Sequence, residues 1–160
     1  HNRDNHFFQN ILFQFIGKWV GNENWNIGDL NLPKDLVIFE KPISYLESLK
    51  RMLDADMLLI LDAPFDISVF FPSKLVDYIG AKKPILAITP EGSCADIVRE
   101  VGGLVCSPDS TESVQNGITS AISSLRSSNS KGVFNKNMSH FSNDFVSKQY
   151  QLLIDQVVNK

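Results

Sequence analysis

The sequence predicts an α/β fold built on a parallel sheet, and three observations carry that expectation. Short apolar runs of strand length alternate with segments of helical periodicity along most of the chain. The strands are separated by helices of about ten residues, which implies that successive strands run the same way and are linked by right-handed crossovers. One run, Met57 to Leu61 (MLLIL), is apolar without alternation, as a strand covered on both faces must be.

The elements follow in order. Ile11 to Ile16 (ILFQFI) is a strand stopped by Gly17, and the Asn-rich stretch Gly21 to Asn31 is a loop. Leu36 to Phe39 is the second strand. Ser44 and Glu47 give the S-x-x-E pattern, in which each side chain satisfies a free amide at a helix start. The helix that follows gathers Tyr45, Leu46, Leu49, Met52 and Leu53 on one face, and Met57 to Leu61 comes next. Pro64 and Pro72 bracket a loop holding Phe65, Phe70 and Phe71. A helix is predicted from near Ser73 to Gly80, with Leu75, Val76 and Ile79 on its inner side. Pro84 to Ile88 is a strand, Ser93 to Val101 a helix, and Leu104 to Cys106 a strand after Gly102-Gly103. Asp109 or Ser110 caps a helix whose buried stripe is Val114, Ile118, Ala121 and Leu125. A Ser-rich linker, Ser127 to Lys131, leads towards a terminal helix over 143–158, marked by Phe145, Val146, Gln149, Leu152, Leu153 and Val157.

Composition sets the outer limits. With 160 residues, 43% of them hydrophobic and 21% charged, the chain can bury one core, so a single domain over 1–160 is expected. Fifteen basic against eighteen acidic residues give a net charge of -3, which disfavours broad contact with nucleic acid or anionic lipid. No apolar run approaches the roughly 20 residues of a membrane helix, and no signal-peptide pattern opens the chain, so a cytoplasmic location is expected. Cys94 and Cys106 lack a C-x-x-C partner and read as buried thiols. The chain opens on His1 directly into polar sequence, which suggests a piece of a longer protein.

In a parallel sheet, ligands bind beyond the carboxyl ends of the strands. The loops to inspect are therefore those after Gly17, Glu40 to Ile43, Asp62 to Lys74, and Thr89 to Ser93. The sharpest feature is Phe71-Pro72-Ser73-Lys74-Leu75, where a helix begins with a hydroxyl and an ammonium in its first turn. A lysine beside the positive end of a helix dipole is unfavourable by about 0.3–1 kcal/mol unless an anion binds there. That points to phosphate; the plainer alternative is a Ser cap followed by a solvated Lys. Asp77, one turn on, either accepts from sugar hydroxyls or pairs with Lys74.

Pro72-Ser73-Lys74-Leu75-Val76-Asp77-Tyr78-Ile79-Gly80-Ala81-Lys82-Lys83-Pro84-Ile85-Leu86 resembles the nucleotide-sugar-binding segment of GT-B glycosyltransferases of the group-1 or family-4 class, P-S-K-L-x-E-Y-x-A-x-G-K-P-I-L. Leu53 to Leu59 resembles the same class's strand entry, and Gly102-Gly103-Leu104-Val105 through Pro108-Asp109 its G-G-x-V-x-P-x-D ending. The resemblance spans Ile11 to Leu125 and implies a Rossmann-like sheet flanked by helices, one half of a GT-B fold. It further implies that Gly17, Pro72, Ser73, Lys74 and Leu75 hold the donor diphosphate, that Asp77 replaces a glutamate on the ribose, and that Phe39, Glu40, Lys41 and Pro42 meet the nucleobase. The implied partners are a nucleoside-diphosphate sugar as donor substrate and an amino-terminal acceptor-binding domain of the same protein, which would carry it to the inner membrane surface. No cofactor or metal is implied, and the catalytic residue stays unknown. The implied activity is transfer of a sugar to a hydroxyl acceptor in cell-surface polysaccharide synthesis, with the isolated half inactive.

The chain also departs from that pattern. A second glutamate of the family, eight positions before the ribose-binding one, falls on Val69, with Asp66 a substitute only if the loop shifts. The family's first strand and basic pair are not visible, and Arg3 lies too close to Ile11 to supply the latter. Phe70 and Phe71 read as core before they read as stacking platforms. Glu91 and Ser93 either touch a sugar or, for Ser93 with Asp96, cap a helix. Asp54-Ala55-Asp56 spells the D-x-D of metal-dependent transferases but precedes a strand, at the wrong edge. His1, His6 and His140 show no ligand spacing. Two other functions fit the same architecture: a sugar-nucleotide epimerase and a non-catalytic flavodoxin-like regulatory domain.

Overall fold

A computed structural model of the chain describes residues 8–18, 32–33, 36–68, 71–127 and 139–158. The expectations for Arg3, His1, His6, the Gly21–Asn31 loop, Val69, Phe70 and most of the Ser-rich linker lie outside those residues. The fold is α/β with parallel sheets and flanking helices, as expected for a Rossmann-like architecture. The strands form two sheets among the described residues, and the chain divides by compactness into two units, His1–Ser48 and Leu49–Lys160.

The first unit holds β1 (Phe13–Ile16) and β2 (Val37–Glu40), paired in parallel from Phe13 with Val37 to Ile16 with Glu40. Phe15 and Phe39, opposite each other, stack with ring centroids 5.1 Å apart and 13° between planes. Such a cross-strand aromatic pair is worth about 0.2–1 kcal/mol. β1 begins two residues later than its apolar run, since Ile11 and Leu12 precede the ladder. Helix α1 (Tyr45–Asp54) starts where the S-x-x-E pattern puts it, and the Ser44 hydroxyl accepts from the Glu47 amide at 3.3 Å. Its predicted inner face is only partly covered: Leu49 and Met52 are half-buried, whereas Tyr45, Leu46 and Leu53 are exposed. Periodicity fixes which residues share a face, not what lies against it.

The second unit is a three-stranded parallel sheet in the order β3 (Leu58–Leu61), β4 (Ile85–Ile88), β5 (Leu104–Cys106). α2 (Lys74–Ala81) joins β3 to β4, α3 (Ser93–Glu100) joins β4 to β5, and α4 (Thr111–Arg126) follows β5. The sheet is covered on both faces, which explains why Met57–Leu61 shows no alternation. On one side Ile60, Ile85 and Ala87 pack with Leu75 and Ile79 of α2 and with Cys94 and Val98 of α3. On the other, Leu86 and Cys106 pack with Ala121, Val114 and Ile118 of α4. Ser110 caps α4, its hydroxyl accepting from the Ser113 amide at 3.1 Å. A 3₁₀ turn, Ser139–Phe141, sets Phe141 against the first core, and α5 (Asn143–Val158) occupies the predicted terminal-helix range. The apolar residues of α5 remain largely exposed, including Val157 at 76%.

Three local expectations are corrected. Val76 is 60% exposed: at 3.6 residues per turn it stands about 100° around the helix from the wholly buried Leu75, at the margin of the covered face. α2 runs one residue past Gly80, and Lys82 takes the left-handed closing position at φ 54°, its amide donating to the Ile79 carbonyl. At α3 the cap is Gly92 and not Ser93: Gly92 sits at φ 138°, and a Cβ there would collide with the Ser68 carbonyl.

Candidate functional site

Topology alone places the start of α2. β3 and β4 run parallel, so the helix between them must return antiparallel to both, and its amino end lies at the carboxyl edge of the strands. The same holds for α3. At the start of α2, Ser73 and Lys74 are exposed, and the Ser73 hydroxyl makes no capping hydrogen bond. Ser73 itself is already helical at φ -55°, ψ -31°, so the first turn begins at Pro72. The Leu75 amide donates to the Pro72 carbonyl at 2.9 Å and the Val76 amide to the Ser73 carbonyl at 3.2 Å. Leu75 is wholly buried, so of the expected diphosphate set it belongs to the core, and its amide is taken by Pro72.

Asp77 is half-exposed one turn after Lys74. Its carboxylate acts on Tyr78, whose hydroxyl is pushed above its ordinary range, first by burial and second by that negative charge. The Tyr78 hydroxyl reaches the Leu59 carbonyl at 3.4 Å, which holds α2 against β3. Leu75 and Tyr78 therefore turn one side of the helix inward, and Ser73 and Lys74 remain on the outside.

The other expected residues belong to the first unit. Gly17 follows β1 directly, its amide donating to the Glu40 carbonyl at 3.1 Å. It sits at φ 155°, and a Cβ there would meet open space within 4 Å. Phe39 is 41% exposed and stacked on Phe15; the Glu40 carboxylate accepts from the Gln14 side-chain amide. Lys41 and Pro42 are exposed just after β2.

At the second rim loop the structure gives Glu91 a partner. Arg99 holds its carboxylate through two hydrogen bonds, 2.6 and 2.7 Å, which keep the Glu91 carboxyl below the usual carboxylate range. Phe71 is 45% exposed, against its core reading, and Asp66 is exposed. Asp54 ends α1 and Asp56 precedes β3, so the D-x-D pair sits at the strand's amino end, away from the edge where α2 starts. Among the described residues no three His, Cys, Asp or Glu side chains are grouped to hold a metal ion, and no described helix is long and apolar enough to cross a membrane.

A polar cluster not expected from the sequence lies at this same edge. Asp62, the residue after β3, accepts from the Ser68 hydroxyl at 2.8 Å and the Thr89 hydroxyl at 3.2 Å, both on Oδ2, while Oδ1 accepts from the Ala63 amide at 2.9 Å. Ser68 and Thr89 are nearly fully buried. Cys94, in the first turn of α3, is wholly buried, and its thiol is pushed up first by that burial and further by the Asp62 charge. The legible signal was one polar residue at the end of each of two neighbouring apolar strands, Asp62 and Thr89. No protein-family profile, curated protein or solved structure matches the chain.

Proposed function

We propose that the chain is the donor-binding half of a GT-B glycosyltransferase and holds the diphosphate of a nucleoside-diphosphate sugar at the start of α2. One observation carries the reading: Ser73 and Lys74 are exposed on a helix start at the carboxyl edge of a parallel sheet, and the Ser73 hydroxyl has no capping duty. A helix start offers free amides and a positive dipole end, and Lys74 adds a full charge. With an anion absent Lys74 is mildly unfavourable there; with a diphosphate present each charge-assisted hydrogen bond contributes about 1.5–3 kcal/mol. Leu75 acts by anchoring the helix, not by touching ligand.

On this reading Asp77 receives the ribose hydroxyls. Ser73 and Lys74 also stabilise the charge that develops on the departing diphosphate as the bond from the sugar breaks. Catalysis requires the acceptor-binding partner domain. The test is a titration of the ¹⁵N-labelled chain with UDP and with GDP, followed by amide NMR. Saturable shifts at Ser73, Lys74 and Asp77 are expected from at least one nucleotide; no shift there at about millimolar nucleotide overturns the proposal.

A further inference from the structure

We infer that Asp62 is a latch that makes the loop after β3 and the start of α3 move as one piece at the carboxyl edge of the three-stranded sheet. The inference rests on the polar cluster alone and is independent of the proposed diphosphate site.

Two different kinds of bond join these loops. The first is through side chains: a single oxygen of Asp62 receives the hydroxyl of Ser68, from the loop after β3, and that of Thr89, the residue after β4. The second is through backbone: the Ser68 amide donates to the Glu91 carbonyl at 2.8 Å, and Ser68 pairs with Gly92 in an isolated parallel bridge. Gly92 is what permits that bridge, because any Cβ would strike the Ser68 carbonyl. Ser68 and Thr89 are 3% and 1% exposed, whereas the crest of the loop is open, with Phe65 at 52% and Ile67 at 68%. An exposed crest thus rides on a buried polar anchor shared with the residues that lead into α3.

The consequence is coupling. Buried hydroxyls deprived of a charged acceptor are poorly tolerated, so the arrangement has one closed state with both hydroxyls on Asp62. Separating the two loops breaks the Ser68–Glu91 backbone bond and the Thr89–Asp62 bond together, so neither loop opens without breaking contacts of the other, which is the condition for a cooperative local unit. A ligand or partner that touches the crest at Phe65 and Ile67 therefore alters the start of α3, and the reverse.

Hydrogen exchange followed by mass spectrometry tests this on the whole chain. Asp62→Ala is expected to speed exchange by about tenfold in peptides covering both 62–68 and 89–96, with α4 unchanged. Asp62→Asn keeps one acceptor oxygen for the two hydroxyls and is expected to restore most of the protection over 89–96. If Asp62→Ala does not fold, Ser68→Ala carries the same test, since loss of one hydroxyl must still loosen 89–96. A rise confined to 62–68, an equal rise throughout α4, or Ser68→Ala exchange over 89–96 equal to that of the unaltered chain overturns the inference.

Discussion

The outward face of α2 depends on Leu75 pointing inward, and this can be weighed by comparing Leu75→Ala with Val76→Ala. Leu75 is fully buried against Ile60, Ile79 and Ile85. Truncation to Ala removes three carbons, worth about 2.4 kcal/mol at about 0.8 kcal/mol each. The cavity left behind adds to this, which places the loss at about 3–4 kcal/mol, inside the usual range for a buried leucine. Val76, its neighbour, is 60% exposed, so Val76→Ala is expected to change stability by less than about 0.5 kcal/mol. Urea unfolding followed by far-ultraviolet circular dichroism is the assay. With a denaturant slope of about 1–3 kcal/mol per molar, the Leu75→Ala midpoint should fall by more than about 1 M and the Val76→Ala midpoint should scarcely move. Equal shifts, or a larger one for Val76→Ala, would refute the orientation of α2 and with it the outward placement of Ser73 and Lys74.

Two further outcomes follow from the second unit. Burial pushes up the thiols of Cys94 and Cys106 and the hydroxyl of Tyr78. In the unfolded chain these groups ionise first, so the stability they support is full below the free thiol value of about 8.5 and is lost as pH rises through their folded values, by up to about 1.4 kcal/mol per pH unit for each proton. Unfolding midpoints should therefore fall steadily above about pH 9, and constant stability from there to pH 11 would contradict the assignment. Gly117→Ala should destabilise by about 1–3 kcal/mol although alanine is the better helix former, because the added Cβ overlaps the buried Cys106 sulfur; a stabilised variant in thermal melts would show that α4 packs otherwise.

The order of elements was legible because each physical signal was local. Alternating strand-length runs and helical stripes placed β3 to β5 and α2 to α4 within a residue or two, and Ser44 and Ser110 acted as the caps they resemble. What stayed hidden depended on neighbours distant in sequence. Nothing local shows that Gly92 lies against Ser68, so the residue beside it, Ser93, looked like the cap. Gly80 looked like a helix stop, yet the left-handed position fell on Lys82. The candidate site divided in the same way. The exposed Ser73 and Lys74 were readable from the helix start, whereas the burial of Leu75 and the bonds of Asp62 to Ser68 and Thr89 arise only once β3 and β4 are side by side. Glu91 looked available until Arg99, two turns along α3, was found holding it.

The most direct measurement is isothermal titration of UDP and of GDP into the unaltered chain and into Lys74→Ala. Loss of one charge-assisted hydrogen bond of about 1.5–3 kcal/mol corresponds to a tenfold or greater rise in Kd. One of the two nucleotides should bind the unaltered chain and bind Lys74→Ala at least about tenfold more weakly, with added salt narrowing the difference. Equal affinity for the two proteins, or heat from neither nucleotide with the unaltered chain, would contradict an anion site at the start of α2.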